Sequence, residues 1–116
     1  MPDSLRELTT QLQQFARDRD WGQFHSPKNL ASALIVEAGE LLEHFQWLTE
    51  DQSRKLDDTK REAVGAEMAD VLLYLLQLSS ALDIDLVAAA QTKIEVNARK
   101  YPVDVARGSS RKSDGT

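Results

Sequence analysis

The stretch IVEAGELLEHFQW, Ile35 to Trp47, decides how this chain folds. Leu34, Ile35, Leu41, Leu42, Phe45 and Leu48 cover a wide arc at helical spacing, yet Glu37 and Glu40 sit inside the same helix. At about 100° per residue the two acids lie about 60° apart, on one face. A second stretch, GAEMADVLLYLL from Gly65 to Leu76, repeats the arrangement with Glu67 and Asp70. Around those acids Met68, Val71, Leu72, Leu73, Leu75 and Leu76 leave almost no polar face. A helix apolar nearly all round is buried on several sides. One chain of 116 residues cannot bury that much around two helices. Self-association is therefore expected, as a dimer or a tetramer built from two dimers.

The remaining segments follow the same period. Leu5, Leu8, Leu12 and Phe15 give a first helix from Asp3 or Ser4 to about Arg19, with Ser4 and Glu7 placed for a capping box. DWGQFHSPKN breaks the pattern, and Ser26 before Pro27 reads as an N-cap followed by proline at the first helical position. The second helix then runs from Pro27 to about Leu48. Thr49 to Thr59 is polar, a turn with a short helical start. A third helix covers about Thr59 to Leu82, and a fourth, capped by Asp83 or Asp85, ends near Lys100 before Pro102. Strand alternation is absent from the sequence. The expected fold is all-α: a four-helix chain forming an oligomeric helix bundle, with one domain over residues 1–102 and a polar tail over 103–116.

Composition narrows the function. A net charge of -5 argues against binding a nucleic-acid polymer, which rests on basic patches. There are no cysteines, so disulfides and thiolate zinc sites are excluded. MPDSLRELTTQLQQ has neither the basic nor the apolar region of a signal peptide. The most apolar region, Val71 to Leu82, is too short for a membrane span. These features lead us to expect a cytoplasmic protein without a membrane partner.

The four carboxylates carry the chemistry. An acid pair on a helix ordinarily faces solvent and pairs with Lys or Arg, but Ala31 to Leu48 contains neither. Desolvated carboxylates are costly, and clustering adds repulsion. A hard divalent cation relieves both, and an all-oxygen set of Glu37, Glu40, Glu67 and Asp70 suits Mg²⁺, with Mn²⁺ as the alternative. Mg²⁺ keeps waters and binds substrate phosphates, which points to a nucleotide or phosphoester. A di-iron bundle would use Glu-x-x-His, and Glu40 to His44 has the wrong spacing.

Trp21, Phe24 and His25 in the loop, with Trp47 beyond the acidic helix, are candidates to stack on a nucleobase or, equally, to cap the core. Tyr74 follows Asp70 by one turn, so its hydroxyl is a candidate for the same cleft. Lys93, Asn97 and Lys100 form one polar face ending beside Tyr101. Such a row suits a polyphosphate, although a solvated face has the same composition.

The segments RDWGQFHSPKNL, EAGELLEHFQW, EMADVLLYLL, NARKYP and ARGSSRK, in this order, resemble the MazG-like all-α nucleoside triphosphate pyrophosphohydrolases, and within them the dCTP pyrophosphatase branch. The resemblance runs from about Leu5 to Lys112. It implies hydrolysis of a deoxynucleoside triphosphate between the α and β phosphates, with dCTP or modified dCTP as substrate. It also implies Mg²⁺ on Glu37, Glu40, Glu67 and Asp70, with Glu37 or Glu40 orienting the attacking water. Trp21 to His25, Trp47 and Tyr74 would surround base and sugar, and Asn97, Lys100 and Tyr101 would lie near the phosphates. The assembly implied is a tetramer of two dimers. Leu12 stands where some relatives have a histidine, and the linker Thr49 to Thr59 is shorter than in the animal enzymes. Broad dNTP specificity and a non-catalytic helical oligomerisation module are the competing readings.

Overall fold

Helices form where the apolar period predicts them, and their ends are fixed by short polar side chains. The computed structural model describes residues 2–108. Residues Met1–Asp83 form one compact unit and Ile84–Thr116 a second.

In the first unit α1 spans Pro2–Asp18, followed by a 3-10 turn at Trp21–Phe24. Next come α2 (Pro27–Glu43), α3 (Glu50–Arg54) and α4 (Asp58–Ala81). Ser26 caps α2 by accepting from the Asn29 N–H at 3.1 Å, with Pro27 behind it as expected. Thr49 and Gln52 close a reciprocal capping box on α3. Asp57 caps α4 through the Lys60 N–H at 2.7 Å. Asp83, at φ 54°, takes the left-handed conformation just past α4, which a short polar residue tolerates.

α4 packs chiefly on α2 and secondly on α1, which also meets the 3-10 turn. That double contact explains why α4 has so little polar face. The core is Leu30 from α2 with Val64 and Leu76 from α4. Each such burial stabilises by roughly 1.5–3 kcal/mol. Buried Ser79 satisfies itself by donating to the Leu76 carbonyl at 2.8 Å. Ile35, Val36 and Leu42 on α2, with Met68 and Leu72 on α4, remain exposed.

In the second unit α5 spans Leu86–Lys100, capped by Asp85 through the Ala88 N–H at 3.0 Å. A short α6 follows at Val103–Ala106.

Several expected boundaries differ. α1 begins at Pro2, so Ser4 lies inside the helix and cannot serve as its N-cap. α2 stops at Glu43, not near Leu48. From His44 the backbone tightens, with His44 N–H to Leu41 O and Phe45 N–H to Leu42 O, before extended Thr49 caps α3. The polar linker holds the whole of α3, and the start of the expected tail holds α6. Residues 109–116 lie outside the described residues. Among the described residues there is no strand, and no single helix is long and apolar enough to cross a membrane.

Candidate metal centre and adjoining cavity

Packing of α2 against α4 turns the two acid pairs toward each other. Glu37, Glu67 and Asp70 each offer a carboxylate oxygen, all within 4.8 Å of one another. Glu40, one turn beyond Glu37, comes close enough to share hydrogen bonds with both Glu37 and Glu67 when a proton is present. The Oε2 atoms of Glu37 and Glu67 are covered and have no hydrogen-bond partner. Among the described residues the ion pairs join Arg54 to Glu50 and Asp51, and none of them reaches the cluster.

The electrostatics follow. The hydrogen bond with Glu40, then burial, the contact with Glu67 and repulsion from both acids push the Glu37 carboxyl up to about 7. Glu67 is also raised, first by burial, then by Glu40 and by repulsion from Glu40 and Asp70; its contact with Glu37 pulls the other way. The cluster therefore holds a shared proton to higher pH than ordinary carboxylates do. Orphaned buried oxygens, an all-carboxylate donor set and unrelieved repulsion fit a divalent metal ion.

A cavity of about 400 Å³ adjoins the cluster, with Glu37 and Asp70 on its wall. Its aromatic side comes from Phe15 at the end of α1 and from Trp21 and His25. The Phe15 and Trp21 rings meet edge-on at 5.5 Å, and Trp21 meets His25 edge-on at 6.4 Å. Arg19 lies over the outer Phe15 ring, 3.5 Å from its centroid. The 3-10 turn holds Trp21 in place, closed by the His25 N–H to the Gly22 carbonyl at 3.1 Å and by the Asn29 side chain donating to the Phe24 carbonyl at 3.0 Å. Across the cavity α4 presents Leu73, Tyr74 and Gln77.

The structure thus brings together Glu37, Glu67 and Asp70 with Glu40 adjacent, and places Trp21, His25 and Tyr74 around one cavity beside them. Trp47 is not on that cavity wall; it stands 86% exposed in the turn after α2. Lys93, Asn97 and Lys100 share a face of α5, and the Tyr101 N–H closes that helix on the Asn97 carbonyl at 2.8 Å. Lys93 and Asn97 are exposed, Lys100 and Tyr101 half-buried. Leu12, Phe15 and Gln77 line the cavity without having been singled out as site residues. The first two read as ordinary core positions of an amphipathic helix. Gln77 had a signal, since it lies on the Asp70–Tyr74 face at i, i+4, i+7.

Fold and site define an all-α protein in which two adjacent helices raise a carboxylate centre beside an aromatic-walled cavity. The description of the MazG-like family matches residues 33–115, and this chain belongs to that family. The chain is 42% identical over 111 residues to human dCTP pyrophosphatase 1, covering 94% of this chain and 65% of that protein. It is 40% identical over 109 residues to the mouse dCTP pyrophosphatase 1, covering 92% and 64%. It spans just under two thirds of the length of these curated relatives. The crystal structure of a pyrophosphatase from Archaeoglobus fulgidus superposes with a TM-score of 0.80 at 40% identity, covering 85% of this chain and 93% of that one.

Proposed function

We propose that the chain is a divalent-metal-dependent nucleoside triphosphate pyrophosphohydrolase that converts a dNTP, foremost dCTP or a modified dCTP, to dNMP and pyrophosphate. The observation that carries this reading is the pair of covered, unpartnered oxygens of Glu37 and Glu67 beside an aromatic-walled cavity. The relatives named dCTP pyrophosphatase 1 supply the substrate class. Glu37, Glu67 and Asp70 would hold the metal. Bound there as Mg²⁺, it would supply charge neutralisation for the phosphates and a water of lowered pKa.

In the proposed reaction the water oxygen attacks the α-phosphorus, the bond from that phosphorus to the α–β bridging oxygen breaks, and pyrophosphate leaves. Glu40 lies outside the three-carboxylate set but next to Glu37, so its carboxylate is the one left to orient the water and accept its proton. Trp21 offers an aromatic face to the base, worth on the order of 1–3 kcal/mol in nucleic-acid systems. Tyr74, on the same cavity wall one turn from Asp70, would meet the sugar through its hydroxyl. The cavity has the volume of a small-molecule site.

Pyrophosphate release from a panel of nucleoside triphosphates, with Mg²⁺ and with EDTA, tests this reading. Release from dCTP that EDTA abolishes is expected. No release from any substrate would sink the enzyme reading and favour a non-catalytic module. Equal rates across bases would replace the cytosine preference with broad specificity. The proposal includes a homotetramer of two dimers, supported by the exposed apolar residues of α2 and α4, and a cytoplasmic location, which cell fractionation checks.

A further inference from the structure

The cavity beside the carboxylates continues along α4 past Tyr74 to Gln77. Asp70, Tyr74 and Gln77 stand at i, i+4 and i+7 on one helical face. At 1.5 Å rise per residue, Gln77 lies about 10 Å along the axis from Asp70. A nucleotide whose phosphates meet the carboxylates extends its sugar and base in that direction, because the cavity runs there. Around Gln77 the wall is mostly apolar, with Leu12, Ala16 and Leu73.

Gln77 also borders a second cavity of about 210 Å³, so with Leu12, Ala16 and His25 it forms the partition between the two. Next to it Gln13 spends its amide on the Ser80 hydroxyl at 2.8 Å, tying α1 to α4. Gln11, the other amide on the main cavity wall, is exposed to solvent. Gln77 is half-buried, and its amide makes no hydrogen bond among the described residues. The amide therefore keeps a donor and an acceptor available on the cavity wall.

Resting on the pyrophosphohydrolase reading above, we propose that Gln77 is a base-binding residue that pairs with the edge of a pyrimidine. Its carbonyl accepts from the N4 amino group of cytosine and its N–H donates to N3, a bidentate pairing suited to a side-chain amide. An amide that nothing else pins turns over, and then pairs with the N3–H and O4 of thymine. Gln77 therefore holds either pyrimidine by two hydrogen bonds and excludes neither. A carboxylate at the same position has no donor: with cytosine it accepts from N4–H but repels the N3 lone pair, and with thymine it accepts from N3–H but repels O4.

The test is steady-state pyrophosphate release from dCTP and dTTP by the full chain with Mg²⁺, in wild type, Q77L and Q77E. Q77L is expected to raise the KM for dCTP by about tenfold, with kcat within about threefold of wild type. Q77E, which keeps an acceptor but has no donor, is expected to raise the KM for both dCTP and dTTP by about tenfold, with the ratio of their kcat/KM within about threefold of wild type. Neither KM nor that ratio depends on the fraction of each variant that folds. Variants matching wild type in KM for both substrates, while wild type is active, overturn the role of Gln77 alone. A wild type inactive on every nucleoside triphosphate overturns this inference together with the reading it rests on.

Discussion

Glu37 faces one acid on its own helix and another across the interface, and its carboxyl is raised to about 7 for that reason. An acid raised above its ordinary value of 4.5 stabilises the fold only while protonated. Its contribution is complete below 4.5 and is lost as pH rises to about 7. Metal-free protein should therefore lose thermal stability across that window, and E37Q, which cannot titrate, should flatten the slope. Mg²⁺ competes with the shared proton, so the rise in Tm that it produces should grow as pH climbs through about 7. Melting curves across that range, with and without Mg²⁺, check both signs. A metal-free Tm that climbs with pH equally in wild type and E37Q would contradict the account. On the proposed mechanism E40Q should lower pyrophosphate release roughly hundredfold or more while preserving the Mg²⁺-induced shift in Tm.

At the scale of the element, α4 carries most of the site: Glu67, Asp70, Tyr74 and Gln77 all lie on it. Its N-terminus hangs on Asp57, whose side chain satisfies one of the orphan N–H groups. Asp57→Ala should cost about 1 kcal/mol of stability. It should leave pyrophosphate release unchanged, because the cap lies well upstream of Glu67; a loss of activity larger than the loss of folded protein would show that the helix start shapes the site. Helix existence was legible in the sequence because apolar period and caps agreed, as at Ser26–Pro27 and Asp85. Helix ends were less so. The α2 terminus lies among residues that fit a helix by period, and it is the competing cap at Thr49 that ends the pattern. The carboxylate quartet could be read because spacing alone puts each pair on one face. The cavity could not, since Leu12 and Phe15 join it only through the way α1 leans on α4; of its wall Gln77 had a signal, on the Asp70–Tyr74 face of α4.

For the whole molecule, the question is what covers the exposed apolar residues of α2 and α4. Ile35 and Leu42 are one face of α2, about opposite Glu37 at 100° per residue. Ile35 is 66% exposed and Leu42 62%. Gly39 lies between them on that face, and a Cβ built there meets nothing within 4 Å in a single chain. In a lone chain Gly39→Ala should thus stabilise the helix by roughly 0.5–1 kcal/mol. If the face packs closely on a second copy, as proposed, the added methyl intrudes and the effect reverses. Light scattering after size exclusion, combined with melting, separates the cases. We expect wild type to elute as an oligomer and Gly39→Ala to weaken the assembly, and Leu42→Glu to weaken it at least tenfold by placing a charge where about 1.5–3 kcal/mol of apolar burial was available. A monomeric wild type whose Gly39→Ala variant melts higher would mean that this face is simply solvated, and the oligomer would have to be abandoned.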